Sequence, residues 1–587
     1  MGNMLTAVDP DGTSTFTYDA LNRIATVNQP FGLGLTYTYD AADNRTLVQD
    51  SKGGTLTSTY DAANRLTARQ FSGNSATLRY NYNYSDRNEI TKITRFSDTA
   101  GSTTIGWTSL TYDAKGRITN IKHRDSSDTS LQNTTYTYDD NDRMTTKVLN
   151  GTTTTYTYDY TDQLTNDTTA TYTYDANGNR TMTGYQTGAG NQTTNDGTWT
   201  YTYDDAGNRT KKSKGASLET WTYGYDHHNQ LIWVEKRATD GGTLLLRVEN
   251  KFDALWNRIE RTADNNGDGQ VDNTERFGFD GAHTWADLDG SNNLLYRRVY
   301  GDTIDSVIAR ISSGGTVVWY LTDHQNSVTG LVNSSGSLLG YISYDGFGNI
   351  ISDTSGSNKD RFLYAGGEVD GATGLALFWA RYYDAALGKW ISMDPIGFNA
   401  GDANLYRYVA NNTMTNVDPF GLEDKTNSEP AAKLGKPEPL PPPKQAPWGG
   451  AGPAGAPYPP IRQQPEPPTF YLPPISVGKL TDPPKVGLPV QIMPKKPYAP
   501  ISITIVGSGG QIVTTTNLPK GMESKVWGGA SISGPSVGNI GNAIIGGKPI
   551  TRKDIIALWG FQIIIGGKVR PVPPELIPKM PRLPKDK

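Results

Sequence analysis

Thr171-Tyr172-Thr173-Tyr174-Asp175-Ala176-Asn177-Gly178-Asn179-Arg180-Thr181 is the stretch that decides the fold class. Tyr and Thr alternate with the period of a pleated strand, so the rings fall on one face and the hydroxyls on the other. Asp175 to Gly178 then reverses the chain, because Asp and Asn side chains bond their own backbone and Gly or Asn tolerates positive φ. An Arg followed by a strand former opens the return strand, as at Arg23-Ile24, Arg65-Leu66 and Arg117-Ile118. One such hairpin has a single aromatic face and is too small to fold alone; stacked hairpins bury that face and leave Thr and Asn outside.

Outward from this unit, Tyr-Asp recurs at Tyr18, Tyr39, Tyr60, Tyr112, Tyr138, Tyr158, Tyr203, Tyr225 and Tyr344, with Phe252-Asp253 as a variant. The spacing is usually about twenty to thirty residues, the range of stacked repeat architectures. Composition divides the 587-residue chain at Leu422. Residues 1–422 carry 49 acidic and 35 basic side chains and 4 Pro, a net of −14; residues 423–587 carry 10 acidic and 20 basic side chains and 31 Pro, a net of +10. There is no cysteine, so neither disulfides nor thiolate metal sites are available. All five histidines precede residue 422, which leaves the basic tail without imidazole chemistry. The tyrosines resemble a stacking platform for bases, but an acidic surface repels phosphate, so the repeats predict no nucleic-acid binding. The start lacks the basic and apolar regions of a secretory peptide. Met1-Gly2-Asn3-Met4-Leu5-Thr6 matches the spacing of a myristoylation signal but reads more simply as a repeat opening. No apolar run approaches the ~20 residues of a membrane helix.

Tyr60-Asp61-Ala62-Ala63-Asn64-Arg65-Leu66-Thr67 and its siblings resemble the YD repeats of bacterial RHS proteins, of the Tc toxin C component and of teneurins. Leu321-Thr322-Asp323-His324-Gln325-Asn326, Tyr344-Asp345-Gly346-Phe347-Gly348, Ala380-Arg381-Tyr382-Tyr383-Asp384 and Gly388-Lys389-Trp390 follow in the order of the RHS repeat-associated core. The resemblance covers about residues 1–422. It implies a mainly β fold in which a spiral β-sheet of YD hairpins forms a hollow shell. The expected domains are repeats at 1–310, the repeat-associated core at 311–422, a Pro-rich linker at 423–500 and a variable module at 501–587.

Asp394-Pro395-Ile396-Gly397-Phe398 recurs twenty-four residues later as Asp418-Pro419-Phe420-Gly421-Leu422. Two carboxylates brought together can share one proton, so that one activates water and the other protonates a leaving amine. Asp-Pro-x-Gly is also a good turn, and both readings can hold together. In the resembled family this pair of motifs is linked to self-cleavage, assisted by an upstream arginine. Carried over by position, the catalytic set is Arg381, Asp394 and Asp418, and the cut falls between Leu422 and Glu423, where the composition changes. Any enzyme activity expected of the core is therefore at most autoproteolytic.

Asp264-Asn265-Asn266-Gly267-Asp268-Gly269-Gln270-Val271-Asp272-Asn273-Thr274-Glu275 fits a calcium-loop template. Asp264, Asn266, Asp268, the Gln270 carbonyl, Asp272 and Glu275 would supply oxygens, and flanking strand patterns place the loop at a hairpin tip, where an ordinary Asn/Asp/Gly turn is the competing reading. A structural Ca²⁺ is the one cofactor expected. His227-His228, following Tyr225-Asp226, reads as a pair of surface turn residues lacking a third nearby ligand.

Residues 423 to about 500 favour polyproline II and a semi-rigid tether. Ile501–Val506 and Gln511–Thr516 predict a hairpin, Thr551 to Trp559 a short helix and Gln562–Ile565 a strand, giving a small β or α+β module. By the resemblance, this tail is cargo enclosed by the shell, with a shell-completing or secretion partner and an immunity protein as expected partners. A secreted or cell-surface bacterial protein for toxin delivery or intercellular competition follows. The alternatives are a non-enzymatic adhesion repeat protein and a truncated family remnant.

Overall fold

A computed structural model describes residues 3–422 continuously and, beyond them, strand segments at 425–426, 475–476, 487–488, 500–506, 512–520, 543–545, 548–550, 562–565 and 568–571. Two long antiparallel meanders dominate. A 14-stranded sheet runs from Thr6–Val8 to Thr152–Thr155, and a 16-stranded sheet runs from Tyr185–Thr187 to Ile350–Asp353, each strand pairing with its neighbours in sequence. Both sheets are open, since each terminal strand has one neighbour. The chain therefore has the expected YD-hairpin β-sheet architecture. Strand Val307–Ser312 crosses the expected boundary at 310, so repeats and repeat-associated core share one sheet.

Local chemistry accounts for each hairpin. In Tyr37-Thr38-Tyr39 the first ring is buried, the Thr is exposed and the second ring is half-buried. Thr hydroxyls hydrogen-bond across several hairpins, at 2.7 Å for Thr17 and Thr26 and 3.1 Å for Thr59 and Thr67. Register shifts occur at the Tyr of the Tyr-Asp pair, as between Thr17 and Tyr18 and between Thr59 and Tyr60. These bulges re-aim the chain into the turn. There the Asp19 carboxylate accepts the N–H groups of Leu21 (2.9 Å) and Arg23 (3.0 Å), while Asn22 takes a φ of 62°.

Contacts between successive hairpins were not legible in the repeat. The hydroxyl of the Tyr-Asp tyrosine donates to a carbonyl at the start of the preceding return strand: Tyr39 to Ile24 (2.8 Å), Tyr112 to Ile90 (2.8 Å), Tyr138 to Ile118 (2.7 Å) and Tyr158 to Met144 (2.7 Å). The arginine opening that strand leans over the same ring, with Arg23 at 4.7 Å from Tyr39 and Arg117 at 4.6 Å from Tyr138, and reaches the next turn through Asp43 and Asp142. Each such cation–π contact is worth roughly 0.5–1 kcal/mol at an exposed site.

The two sheets face each other. Leu66, Phe71, Leu78 and Tyr80 of the first pack with Ile308, Ile311, Trp319 and Leu321 of the second, and Ile24 to Val48 pack with Trp285, Ala286 and Leu288. Arg297 clamps Asp50 through two bonds of 2.7 and 2.8 Å, and Arg45 meets Asp280 at 2.6 Å, so the charges that cross the apolar layer are paired. A small four-stranded sheet, Glu368–Val369, Ala376–Phe378, Arg381–Asp384 and Lys389–Trp390, carries the buried aromatic cluster of Phe378, Tyr383, Trp390 and Tyr408.

The opening stretch itself departs from a regular hairpin. Between the sheets, Thr171 to Thr181 retains the Asp175 turn and the Thr173–Thr181 hydroxyl bond (2.9 Å), but its strand pairing thins to single bridges of Asn166 with Thr171 and Tyr174 with Arg180. Its side chains are recruited by the core segment instead. Arg180 donates to the Ala386 carbonyl (2.9 Å), Asn411 to the Gly178 carbonyl (2.9 Å), and Lys389 to the Asn179 side chain (2.7 Å).

In the tail, described by itself, Pro500–Val506 pairs with Ile512–Lys520, and Gln562–Ile565 pairs with Lys568–Pro571. The expected linker and the helix expected from Thr551 lie largely outside the described residues.

Candidate functional site

Arg381 opens a strand of the small sheet, held with its guanidinium 4.2 Å from the centre of the Trp390 ring. The two Asp-Pro-x-Gly turns converge on it. Asp394 is fixed by its own turn, its N–H donating to the Leu405 carbonyl (3.1 Å) and its carboxylate accepting the Ile396 N–H (3.0 Å). Asp418 accepts the Leu422 N–H at 3.0 Å. Arg381 Nη2 lies 2.7 Å from Asp394 Oδ2 and 3.1 Å from Asp418 Oδ2, with all three residues buried. Its Nε donates to the Gly421 carbonyl and Nη1 to that of Leu405 (3.3 Å). The three residues that the family resemblance implied are thus brought together, both aspartates touching Arg381. Gly421 is required where it stands: its φ is 63°, and a Cβ there would lie 2.7 Å from the Phe378 carbonyl. Leu422 is half-buried at the site, and Glu423 lies outside the described residues.

Burial pushes the Asp394 carboxyl up to about 6, against the opposing pull of Arg381. A third carboxyl stands nearby that no motif pointed to. Asp305, at a φ of 59°, has its Cβ against Gly366, and its Oδ2 is buried without a hydrogen-bond partner. Burial and then the Asp418 charge raise it well above the usual carboxylate range, which favours its neutral form. The only sequence signal was an Asp in the unusual loop between Tyr300 and Val307.

The calcium template folds as a hairpin tip between Arg258–Asp264 and Asn273–Asp280. Asp264 accepts the N–H groups of Gly267 (2.6 Å) and Gly269 (2.8 Å), Asp272 that of Asn265 (2.7 Å), and Asn266 and Asp268 cap the next residues but one. Glu275 is not brought to these oxygens. It sits opposite Arg261 in the strand register and pairs with it at 3.2 Å, while Arg261 also clamps Asp370. The loop residues are gathered, and their twelfth position is engaged elsewhere. For His227 and His228 the structure corrects the reading that no third ligand is near. With Asp226 they form the one group of three His/Asp/Glu among the described residues whose ligand atoms lie within 4.8 Å of one another. Both imidazoles are exposed, and the Asp226 carboxylate already accepts the N–H groups of His228 and Gln230.

Residues 99–244 and 289–414 match the Teneurin YD-shell family, and residues 2–33 match the RHS Repeat. The chain belongs to the RHS/YD-repeat family. Among curated relatives, it is 30% identical over 218 residues to the tRNA3(Ser)-specific nuclease WapA of Bacillus spizizenii, a match spanning 36% of this chain and 9% of that protein. It is 27% identical over 233 residues to double-stranded DNA deaminase toxin A of Burkholderia cenocepacia, spanning 36% of this chain and 16% of that one. A probable deoxyribonuclease, RhsA of Dickeya dadantii, is 30% identical over 217 residues, covering 35% and 14%. The chain thus spans only a small part of these proteins' lengths. Its fold is similar to that of a chain in the Photorhabdus luminescens Tc holotoxin pore, with a TM-score of 0.58 at 18% identity, covering 72% of this chain and 23% of the other. The TcdB2-TccC3-TEV structure has a TM-score of 0.54 at 17% identity, covering 71% and 24%. Among the described residues of this RHS protein, no helix is long and apolar enough to cross a membrane.

Proposed function

We propose that this RHS chain hydrolyses its own Leu422–Glu423 bond and thereby frees its basic C-terminal segment from the β-shell. The observation that carries the reading is one guanidinium nitrogen of Arg381 bridging Asp394 and Asp418, with Asp418 holding the N–H of Leu422. Asp418 acts as the base, taking a proton from a water that attacks the Leu422 carbonyl carbon. Asp394, whose carboxyl burial raises to about 6, gives its proton from the acid form to the Glu423 nitrogen as the C–N bond breaks. The products are a new carboxyl terminus at Leu422 and a new amino terminus at Glu423. Arg381 keeps both carboxylates within reach of the bond and holds the Gly421 carbonyl beside it.

The released segment is a toxin effector for delivery or intercellular competition, and the protein is exported to the medium or the cell surface. Relatives named as nucleases and a deaminase toxin support this reading. The tail's own chemistry names no toxin class: after residue 500 its carboxylates are Glu523, Asp554, Glu575 and Asp586, with no histidine or cysteine beside them. An immunity protein and a shell-completing or secretion partner belong to the same proposal. Intact-mass measurement on the purified chain tests the chemistry: separate core and tail fragments are expected, and Asp394→Asn restores one chain of 63.9 kDa. A single chain with or without the substitution would refute it. Expressing the full chain in a bacterium tests the effector: growth arrest that Asp394→Asn relieves is expected, and indifference to both chains favours a spacer.

A further inference from the structure

In the hairpin turns where a capping Asp, Asn or Ser accepts the N–H four residues on, as Asp19, Asp61, Asp113 and Asp253 do, the fourth residue stands at positive φ. That residue is Asn at 22, 64, 88, 229, 292 and 326, Asp at 43, 128, 142 and 162, and Gly at 53, 116, 178, 207, 315, 336 and 348. In Asp253-Ala254-Leu255-Trp256 it is Trp, at a φ of 71°. A bulky side chain in this region is an outlier that the surroundings must impose. A second outlier faces it. The two-residue turn joining Ala376–Phe378 to Arg381–Asp384 begins with Trp379 at a φ of 40°, where hairpin turns favour Gly or Asn.

The two indoles stack on each other, with centres 6.4 Å apart and planes 28° from parallel. Trp379 in turn meets the Phe420 ring edge to face at 6.0 Å, and the next residue, Ala380, donates its N–H to the Phe420 carbonyl at 3.2 Å. Phe420, Gly421 and Leu422 are therefore each held by a different group: the Trp379–Ala380 turn, Arg381 and Asp418. A cavity of about 10 Å³, room for roughly one water, is lined by both indoles and Arg381.

We infer that Trp256 and Trp379 are positioning residues for self-cleavage, the first buttressing the turn through which the second aligns the segment entering the scissile bond. This rests on the cleavage reading above. Repeat chemistry explains neither residue, because Asn or Gly would satisfy both turns with less strain; what the indoles add is a rigid wall between a YD hairpin and the cleaved segment. They exchange no proton, so their removal should slow the reaction without moving its pH dependence.

Trp256→Asn restores the residue that sibling turns carry. In chains pulse-labelled by cell-free synthesis, cleavage is expected to slow about 10- to 100-fold, the loss that misplacement around an intact reacting centre produces. The pH profile keeps its shape, and Trp256→Phe recovers most of the rate. Thermal midpoints are compared with Asp394→Asn in both chains, so that both stay intact; Trp256→Asn should match or exceed its parent. A Trp256→Asn chain that cleaves at the unsubstituted rate overturns the inference, as does one whose slower cleavage comes with a lowered midpoint, which would mark a structural residue. An unsubstituted chain that never cleaves overturns the cleavage reading itself, and this inference with it.

Discussion

Asp394 makes the pH dependence of self-cleavage a quantitative test. Burial places its carboxyl at about 6, so the acid form is about nine-tenths populated at pH 5, about one-eleventh at pH 7 and about one-hundredth at pH 8. If this proton goes to the Glu423 nitrogen, the rate falls about tenfold per pH unit above 6 and is roughly ninety times slower at pH 8 than at pH 5. Asp394→Asn keeps the shape of the side chain but has no proton to transfer. It should lower the rate at pH 5 by ~10²–10⁴-fold and remove the descending limb. The assay is a short cell-free pulse of labelled chain, transferred to buffers from pH 4.5 to 8.5 and followed by the appearance of the core fragment. A rate that is flat or rising between pH 5 and 8 would refute the assignment of Asp394 as the acid. The same shift has a stability consequence. The folded chain holds a proton that the unfolded chain releases near 3.8, so this group's contribution is complete below that pH and is lost as pH rises through about 6.

Four further outcomes follow from the same structure. Asp305→Asn replaces a buried neutral acid with a neutral amide; because the native carboxyl is raised, its stabilising protonation is lost as pH rises, and the variant should gain thermal stability over its parent at pH 8 but not at pH 4. Asp61 is held below the usual range chiefly by the Arg65 N–H, so its contribution is present above about pH 4 and lost as pH falls through the lower folded value; Asp61→Asn should flatten acid unfolding of its hairpin, read by hydrogen exchange. Tyr138→Phe removes the bond to the Ile118 carbonyl and should cost about 0.5–1.5 kcal/mol of local protection in the strands it joins, without changing cleavage. Calcium binding at the 264–275 loop, proposed here as weak at ~10⁻⁴–10⁻³ M, requires Glu275 to leave Arg261; calorimetry should show heat that Asp264→Asn abolishes, and no heat from the unsubstituted chain would end the proposal.

The hairpins were legible because their causes lie within a dozen residues. Tyr-Thr alternation, the Asp19-type turn and the return arginine act on near neighbours, and the strands beginning at Ile24, Leu66 and Ile118 start where the pattern put them. The tyrosine-to-carbonyl bonds between hairpins were not, since stacking offset sets which carbonyl a ring reaches. The Thr171–Thr181 unit shows the limit clearly. Its turn forms, yet its strands thin to single pairings because Lys389 and Asn411, more than two hundred residues later, take up its polar groups.

The candidate site divides in the same way. Asp394 and Asp418 stood out as a repeated Asp-Pro-x-Gly motif and Arg381 was carried over from the family resemblance, while Asp305 belongs to no motif and Trp256 was hidden as one deviation among many similar turns. Glu275 filled a template position on paper, but strand alternation turned it toward Arg261.

By itself, then, the sequence determined the repeat, its aromatic inner face, the charge break at Leu422 and the identity of the paired aspartates, all properties of short-range pattern or of composition. The tertiary structure decided which carboxylates share a guanidinium, which carboxyls burial raises and which indoles stand against the Phe420–Leu422 segment. Those depend on desolvation and on distances between residues far apart in the chain, and the chain must fold before either exists.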